Sequence, residues 1–211
     1  MLYIGMHIII RVIIIKPIIG IMSREYYSQT NKKINIVYND IILSIIKSDG
    51  IPIGIPCNVD ISDYLDICDG FIFQGGDDIN EDNLKIIEIL KQRNVPVLGI
   101  CLGMQEMFYQ NNLIDISNHH INNLHEINIK KNTLLYNIIK KDKILVNSRH
   151  NSSIINTNYR VSSTSRDNVI ESIEIPYLKF FLGLQWHPEN LYDIDSNSRK
   201  IFDYFIKICN N

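Results

Sequence analysis

The segment PVLGICLGMQEM, residues 96–107, predicts a strand that turns sharply into a helix. An apolar run leads into the pattern Gly-x-Cys-x-Gly, and a helical segment follows it. Gly99 and Gly103 lack a Cβ atom, so the neighbouring backbone can crowd the turn. The pattern is the cysteine form of a nucleophile elbow, in which a tight strand-to-helix turn presents a nucleophilic side chain.

Cys101 lies at the centre of this turn, at the expected N-terminus of the helix. The partial positive charge of a helix N-terminus favours the thiolate, which is the reactive form of cysteine. The N–H of Leu102 has no partner within the first helical turn and can donate to an oxyanion. The alternative is a small buried cysteine between two packing glycines. Cys57, Cys68 and Cys209 lack this context, and we expect each of them to be structural.

Short apolar runs alternate with helical segments on both sides of the turn. Strands are predicted at Ile18–Met22, Ile51–Ile55, Gly70–Phe73 and 96–100, and helices at 35–48, 83–93, 102–109 and 196–208. This alternation predicts an α/β fold with a mostly parallel central sheet and helices on both faces. From 127 to 185 the segments are short and strand-like, with polar breaks at 147–153 and 162–168, and we expect extra antiparallel strands there.

A second glycine turn follows a buried strand in CDGFIFQGGDD, residues 68–78. Ligands of parallel sheets gather at the carboxyl ends of the strands, where Gly75 and Gly76 are expected to lie. Exposed N–H groups in such a turn can complete an oxyanion hole, although an ordinary β-α turn has the same composition. The phosphate-binding patterns GxGxxG and GxxxxGK[ST] are absent from the sequence.

The segment LGLQWHPEN, residues 182–190, supplies a candidate base and its partner. In an extended chain, residues two apart point to the same side, so His187 and Glu189 are expected to lie together, with Pro188 fixing the backbone between them. A carboxylate beside an imidazole holds its tautomer and orients it. Alone, the segment is more typical of a histidine in a surface turn with a solvated glutamate, and the presence of the cysteine elbow reverses that preference.

Composition sets the remaining bounds. The chain has 211 residues, and we expect one domain over 16–211 preceded by an apolar extension or extra strand at 1–15. His7, Arg11 and Lys16 interrupt the apolar N-terminus, which argues against a membrane span or a secretory signal. The net charge of −2 without a basic stripe argues against a nucleic-acid partner. Four cysteines without a CxxC pattern favour a reducing, cytoplasmic compartment.

Together these segments resemble the class I glutamine amidotransferase superfamily, and most closely its free-standing branch, the γ-glutamyl-γ-aminobutyrate hydrolase-like (peptidase C26-type) family. The resemblance runs from about Lys16 to the C-terminus. The motifs that carry it are KPIIGI, DGFIFQGGDD, GICLGMQ, VNSRH at 146–150, and GLQWHPE. Any one of these motifs is common, whereas the combination is specific.

The resemblance implies a flavodoxin-like sheet and a Cys-His-Glu triad. By position, Cys101 is the nucleophile, His187 the base and Glu189 its partner, and the N–H groups of Gly76 and Leu102 hold the oxyanion. Further residues are implied in substrate binding, namely Gly75, Gln105, Asn147, Ser148, Arg149 and His150. No metal and no organic cofactor is expected.

The chain departs from the family pattern in two places. The histidine of Val-Asn-Ser-x-His is commonly followed two positions later by Gln, and this position is Ser152 here. The loop after the Gly-Gly-Asp turn is also short, where the family often carries an insertion. Both differences fall where the leaving group is expected to bind, so they leave the expected chemistry intact but open the choice of substrate.

The resemblance implies hydrolysis of a small-molecule γ-glutamyl amide, through a γ-glutamyl thioester on Cys101, to glutamate and an amine. The amine stays open: γ-aminobutyrate, another amine, a polyglutamate or a nucleotide-linked amidate. One alternative is a glutaminase subunit that delivers ammonia to a synthetase partner, against which VNSRH argues. Another is a non-catalytic binding protein on the same fold. A homodimer stays open, and no nucleic-acid or membrane partner is expected.

Overall fold

The computed structural model describes residues 16–110, 112–116 and 121–210, with the backbone alone for 121–123. The extension expected at 1–15 lies outside these residues. The strands are β1 Ile18–Met22, β2 Arg24–Tyr27, β3 Lys33–Ile36, β4 Ile51–Ile55, β5 Gly70–Phe73, β6 Val97–Ile100, β7 Leu113–Asp115, β8 Ile121–Ile129, β9 Lys143–Arg149, β10 Ser152–Ile154, β11 Arg160–Ser165, β12 Ile170–Glu174 and β13 Phe181–Leu184. The helices are α1 Asn39–Lys47, α2 Ser62–Leu65, α3 Glu81–Gln92, α4 Leu102–Met107, α5 Leu134–Ile139 and α6 Ser196–Cys209, with a 3-10 turn at Pro188–Leu191.

A nine-stranded sheet organises the chain, in the order β4-β1-β5-β6-β13-β12-β11-β8-β9. The first five strands pair in parallel, and the pairs from β13 to β9 are antiparallel. The parallel part has the 2-1-3-4-5 order of flavodoxin-like folds. The α/β fold with extra antiparallel strands in the C-terminal half is therefore confirmed.

Helices pack against both faces of this sheet, because each strand of the parallel part is apolar on both sides. One core lies under α1, α5 and α6 and contains Ile41, Ile139 and Phe202, each fully buried. The other lies under α3 and α4 and contains Leu90 and Met104, also fully buried. Among the helices of the described ranges, none has the length and apolar character to cross a membrane.

The helix predicted at 35–48 begins later than expected, at Asn39. Lys33–Ile36 instead pairs with Arg24–Tyr27 as an antiparallel hairpin that the sequence analysis missed. The side chain of Gln74 fixes this boundary, because it donates to the carbonyl of Ile36 at 2.8 Å and accepts from the N–H of Tyr38 at 2.9 Å. Both groups are therefore unavailable to a continuous helix.

The polar breaks expected at 147–153 and 162–168 are shorter than expected, since β9, β10 and β11 run into them and leave 150–151 and 166–169 between the strands. Their serines are buried and satisfied: the hydroxyls of Ser162 and Ser163 lie 2.8 and 2.6 Å from that of Ser172 on the neighbouring strand. A buried hydroxyl that has a partner is tolerated in a strand, so a polar composition did not mark a loop here. The short helix α5 was missed as well.

The strand-to-helix turn is present where the sequence predicts it. Cys101 adopts φ 53° and ψ −110°, a conformation that is strained for any residue with a Cβ atom. Helix α4 lies so close to β5 that a Cβ atom on Gly103 would overlap the carbonyl oxygen of Phe73. Glycine is therefore required at this position by the packing of the helix on the sheet.

We predict that Gly103→Ala lowers the free energy of unfolding by about 3 kcal/mol or more, because the added methyl meets backbone atoms that cannot move aside. Gly54→Ala is the matched control, since its nearest contact would be the side chain of Val37 at 3.1 Å. Urea denaturation measures both. A Gly103→Ala protein as stable as Gly54→Ala would contradict the close packing of α4.

Candidate active site

The thiol of Cys101 lies at the carboxyl end of the parallel strand β6, between β5 and β13. Its N–H donates to the carbonyl of Leu184 at 2.7 Å, which ties the strained turn to the end of β13. Its side chain is largely buried, with the residue 8% exposed. A nucleophile held this way needs little reorganisation before it reacts.

His187 and Glu189 follow β13 and meet at this thiol. The imidazole Nδ1 lies 2.7 Å from a carboxylate oxygen of Glu189, and the ring lines the same cavity as the thiol of Cys101. The expected contact is thus made, but an extended chain does not make it. Pro188 begins a 3-10 turn, and this turn brings the carboxylate of Glu189 back onto the ring.

The backbone of His187 is fixed by Asn147 on β9. The amide oxygen of Asn147 accepts from the N–H of His187 at 2.9 Å, and its nitrogen donates to the carbonyl of His187 at 3.0 Å. The two bonds use both polar ends of the side chain. Asn147, which the resemblance implies in substrate binding, therefore positions the candidate base in this structure.

Burial of the imidazole lowers the pKa of His187, but the hydrogen bonds to Cys101 and Glu189 and the charges of both groups outweigh it and raise the pKa to about 10. At neutral pH the ring is then an imidazolium between a carboxylate and the sulfur. A protonated ring beside the sulfur is placed to give its proton to a group that leaves there.

The other three cysteines lack such partners, and all four are free thiols. Burial raises the pKa of Cys57, raises that of Cys68 to about 11, and raises that of Cys209 further. A raised pKa leaves little thiolate at neutral pH. The expectation that these three are structural agrees with their surroundings.

A cavity of about 410 Å³ opens over the thiol. Six of its lining residues were predicted from the sequence as site residues, namely Gly75, Gly76, Cys101, Arg149, His187 and Glu189. The other five were not: Tyr38, Asn39, Asp40, Asp77 and Asn190. Gly75 lies so near the triad that a Cβ atom there would be 3.0 Å from Cε1 of His187 and 3.6 Å from Cβ of Cys101. The glycine turn is therefore part of the wall beside the reacting atoms.

Of the residues implied in substrate binding, Gly75 and Arg149 line this cavity, with Arg149 exposed. Gln105, Ser148 and His150 do not, and each is almost fully buried. The amide nitrogen of Gln105 donates to the carbonyl of Ser152 at 2.9 Å, and Nδ1 of His150 lies 3.1 Å from the same oxygen. These side chains support the site from behind.

A buried ion pair that the sequence analysis missed holds the glycine turn. The guanidinium of Arg24 lies 2.6 and 2.9 Å from the two carboxylate oxygens of Glu106, and these side chains are 7% and 0% exposed. Arg24 also donates to the carbonyls of Gln74 and Gly75. The one sequence signal is the charge of Glu106 between apolar residues of a predicted helix, since a buried charge needs a partner.

The lining residues Tyr38, Asp40 and Asn190 carried no signal of their own in the sequence. Asn190 donates to a carboxylate oxygen of Asp40 at 2.7 Å, across 150 residues of chain. The described part of the chain contains no group of three or more His, Cys, Asp or Glu side chains arranged to hold a metal ion.

Comparison with known proteins gives a family and several relatives. The model of the Peptidase C26 family matches residues 17–85 and 80–189. The protein NtpR of Enterococcus hirae is 28% identical over 239 aligned positions, which cover 90% of this chain and 98% of NtpR. The CTP synthase of Borreliella afzelii is 30% identical over 200 positions, which cover 72% of this chain and 37% of the synthase.

Among solved structures, the glutaminase domain of Trypanosoma brucei CTPS with bound acivicin superimposes with a TM-score of 0.66. The match covers 92% of this chain and 93% of that domain, at 16% sequence identity. At this identity the likeness shows a shared fold and nothing finer.

We predict that removal of Glu106 destabilises the protein more than removal of the whole ion pair. Glu106→Leu leaves the cation of Arg24 buried without its carboxylate and lowers the free energy of unfolding by about 3–5 kcal/mol. Adding Arg24→Met regains part of that loss, because the stranded cation is gone. Urea denaturation gives both values, with Lys143→Ala as the control for the exposed pair Lys143–Glu126. A double variant no more stable than Glu106→Leu would contradict the role of the pair.

We also predict that the imidazole of His187 stays protonated until about pH 10, and that Glu189→Gln lowers its pKa by removing the carboxylate charge. Because the folded value lies above the ordinary 6.5, this group stabilises the fold fully below about pH 6.5 and ceases to do so as the pH rises to about 10. NMR titration of the ring measures the pKa, with the exposed Glu126→Gln as control. An unchanged pKa in Glu189→Gln would refute the contact.

Proposed function

Because this chain is a glutaminase-type domain that belongs to the peptidase C26 family of the class I glutamine amidotransferase-like superfamily, we propose that it hydrolyses a γ-glutamyl amide to glutamate and an amine. One observation carries the proposal: the thiol of Cys101, the imidazole of His187 and the carboxylate of Glu189 line one cavity, with the imidazole bonded to the carboxylate at 2.7 Å. The array has a nucleophile, a proton donor and a group that orients the donor, which are the parts that acyl transfer needs.

In the first half of the reaction, the thiolate of Cys101 attacks the γ-carbonyl carbon and forms a tetrahedral oxyanion. The C–N bond then breaks, and His187 gives its ring proton to the departing nitrogen. The amine leaves, and a γ-glutamyl thioester remains on the sulfur. The raised pKa of His187 suits this step, because the ring already holds the proton that the leaving group needs.

In the second half, the now neutral imidazole of His187 takes a proton from water. The resulting hydroxide attacks the thioester carbonyl, the C–S bond breaks, and glutamate leaves. The sulfur departs as a thiolate and the imidazolium is regenerated, so protons balance over the cycle. Glu189 keeps the ring in place during both proton transfers and stabilises its charged form.

In both halves of the reaction, we assign the binding of the oxyanion to the N–H groups of Gly76 and Leu102. Leu102 is the first residue of α4, where an N–H has no intrahelical acceptor. Gly76 lines the cavity beside the thiol, in the turn that Arg24 holds by its contacts with Gln74 and Gly75. Fixed donors of this kind stabilise the charge that develops on the carbonyl oxygen.

The exposed guanidinium of Arg149 is the candidate partner for an anionic group of the substrate, since it is the cation on the cavity wall apart from His187. Asp40 and Asp77 lie on the same wall. A cavity wall that carries both positive and negative charges suits a zwitterionic substrate such as a γ-glutamyl amide, in which the α-carboxylate and α-ammonium groups are both charged.

A second candidate is a glutaminase that passes ammonia to a synthetase partner. The observation that favours it is the 30% identity to the CTP synthase of Borreliella afzelii, of which this chain spans 37%. The substrate would then be glutamine and the leaving amine ammonia, with the same chemistry at Cys101. Glutamine hydrolysis that rises on addition of a synthetase would select this candidate over free-standing hydrolysis.

We predict that the wild-type protein releases glutamate from at least one member of a panel of γ-glutamyl amides: glutamine, γ-glutamyl-γ-aminobutyrate, γ-glutamyl monoamines and γ-linked diglutamate. Cys101→Ala abolishes the release, because no group remains to form the thioester. Glutamate is measured by a coupled dehydrogenase assay.

Cys57→Ser is the matched control, because its hydroxyl can replace the thiol as the donor to the carbonyl of Ser23. This variant is expected to keep wild-type activity. Glutamate release by folded Cys101→Ala at the wild-type rate would contradict the proposed mechanism. Absence of release from the whole panel would contradict the proposed function.

A further inference from the structure

A line of buried amide groups leads from the backbone to the nucleophile. The carbonyl oxygen of Ser152 accepts from the side-chain nitrogen of Gln105 at 2.9 Å. The same nitrogen donates to the side-chain oxygen of Gln185 at 3.2 Å, and the nitrogen of Gln185 lies 3.8 Å from the sulfur of Cys101. Gln185 is fully buried, and Gln105 is 4% exposed.

The acceptor at the start of this line fixes the orientation of both amides. A backbone carbonyl cannot donate, so the NH₂ end of Gln105 must face Ser152. That nitrogen is also the group that faces Gln185, so the oxygen of Gln185 must be turned toward it. The remaining end of Gln185, which carries two N–H donors, therefore faces the sulfur of Cys101.

We propose that Gln185 is a further catalytic residue of this site, whose side-chain N–H donates to the sulfur of Cys101 and stabilises the thiolate. Gln105 is its positioning residue, because it sets the orientation of the Gln185 amide. The inference deepens the proposed function, since the thiolate is the species that attacks the γ-glutamyl carbonyl. His187 is a charged group beside the sulfur that transfers its proton in the proposed reaction. Gln185 supplies a neutral N–H donor, and this N–H keeps its proton throughout.

The position of Gln185 is held from the backbone as well. Its N–H donates to the carbonyl of Glu171 on β12 at 2.8 Å, directly after the pairing of β12 with β13. The side chain is therefore fixed at both ends and is enclosed in the protein interior. A buried amide whose donors met no acceptor would cost free energy, and the sulfur is the acceptor that lies within reach.

The test is the pH dependence of Cys101 alkylation by iodoacetamide, in resting protein without substrate. All proteins carry Cys57→Ser, so that the half-exposed Cys57 does not compete, and the modified peptide is quantified by mass spectrometry. Gln185→Met keeps the length of the side chain and removes the donor. We expect the midpoint of the rate profile to rise by about one pH unit, the shift that corresponds to one lost hydrogen bond to a charged group.

Gln105→Met is the second variant, and we expect a smaller shift in the same direction because Gln185 loses the contact that orients it. Ser172→Ala is the control: it removes a buried hydroxyl on β12, the strand that neighbours β13, without touching the sulfur. Its midpoint should equal the wild-type value. His187, which lies beside the thiol, and Glu189, which is bonded to His187, are unchanged in every variant.

A folded Gln185→Met protein with the wild-type midpoint would overturn the proposal, and so would an equal shift in Ser172→Ala. Thermal melts report folding. Should Gln185→Met fail to fold, Gln105→Met decides, and an unshifted midpoint there overturns the inference. Because alkylation needs no γ-glutamyl substrate, failure of this proposal is distinct from failure of the proposed function, which the glutamate-release panel tests.

Discussion

The buried ion pair between Arg24 and Glu106 is the interaction on which the geometry of the site depends. Arg24 belongs to the hairpin before α1, and Glu106 lies on the helix that follows the nucleophile. Arg24 also binds the carbonyls of the glycine turn, while Glu106 accepts from the N–H of Asn80 and the side chain of Asn83 at the start of α3. Losing either charge would strand the other away from water.

Because the pair is so costly to break, it holds three separate parts of the chain in one arrangement. The glycine turn after β5, the start of α3 and the helix α4 cannot shift independently of one another. Gly75 and Gly76 are thereby kept beside Cys101, where a backbone N–H is useful only if its position is fixed. Neither side chain lines the cavity over Cys101, so the effect of the pair on the proposed chemistry passes through the glycine turn.

Cys101, the proposed nucleophile, is constrained by backbone packing. The positive φ of Cys101 is maintained because its N–H is bound to Leu184 and α4 is pressed against Phe73 at Gly103. The backbone of His187 is in turn held by two hydrogen bonds from the side chain of Asn147. Strands from both halves of the sheet, parallel and antiparallel, thus position Cys101 and His187. The antiparallel extension of the sheet contributes to the candidate site, since β9 supplies Arg149 on the cavity wall and Asn147 at the backbone of His187.

Local patterns of the sequence predicted a good part of this site. The elbow at Cys101 is encoded within 12 residues, and a local turn also explains the contact of His187 with Glu189, although a 3-10 turn rather than an extended chain makes it. The pair of Arg24 and Glu106 is separated by 82 residues, so no periodicity could reveal it. The extent of β11 was not predicted for a related reason, because the hydrogen-bond partner of its buried serines lies on another strand. Polar contacts between residues that are far apart in the sequence could therefore not be predicted from the sequence alone.

Cys101 is proposed to be the nucleophile that attacks a γ-glutamyl carbonyl. Labelling with a glutamine analogue that carries a chloromethyl ketone in place of the carboxamide tests it most directly. The account predicts one adduct per chain, on Cys101, with Cys57, Cys68 and Cys209 unmodified and with protection by an excess of a γ-glutamyl substrate. Labelling of Cys57 in preference to Cys101, or labelling of Cys101 that the glutamyl portion of the reagent does not accelerate over a plain chloroketone, would contradict it.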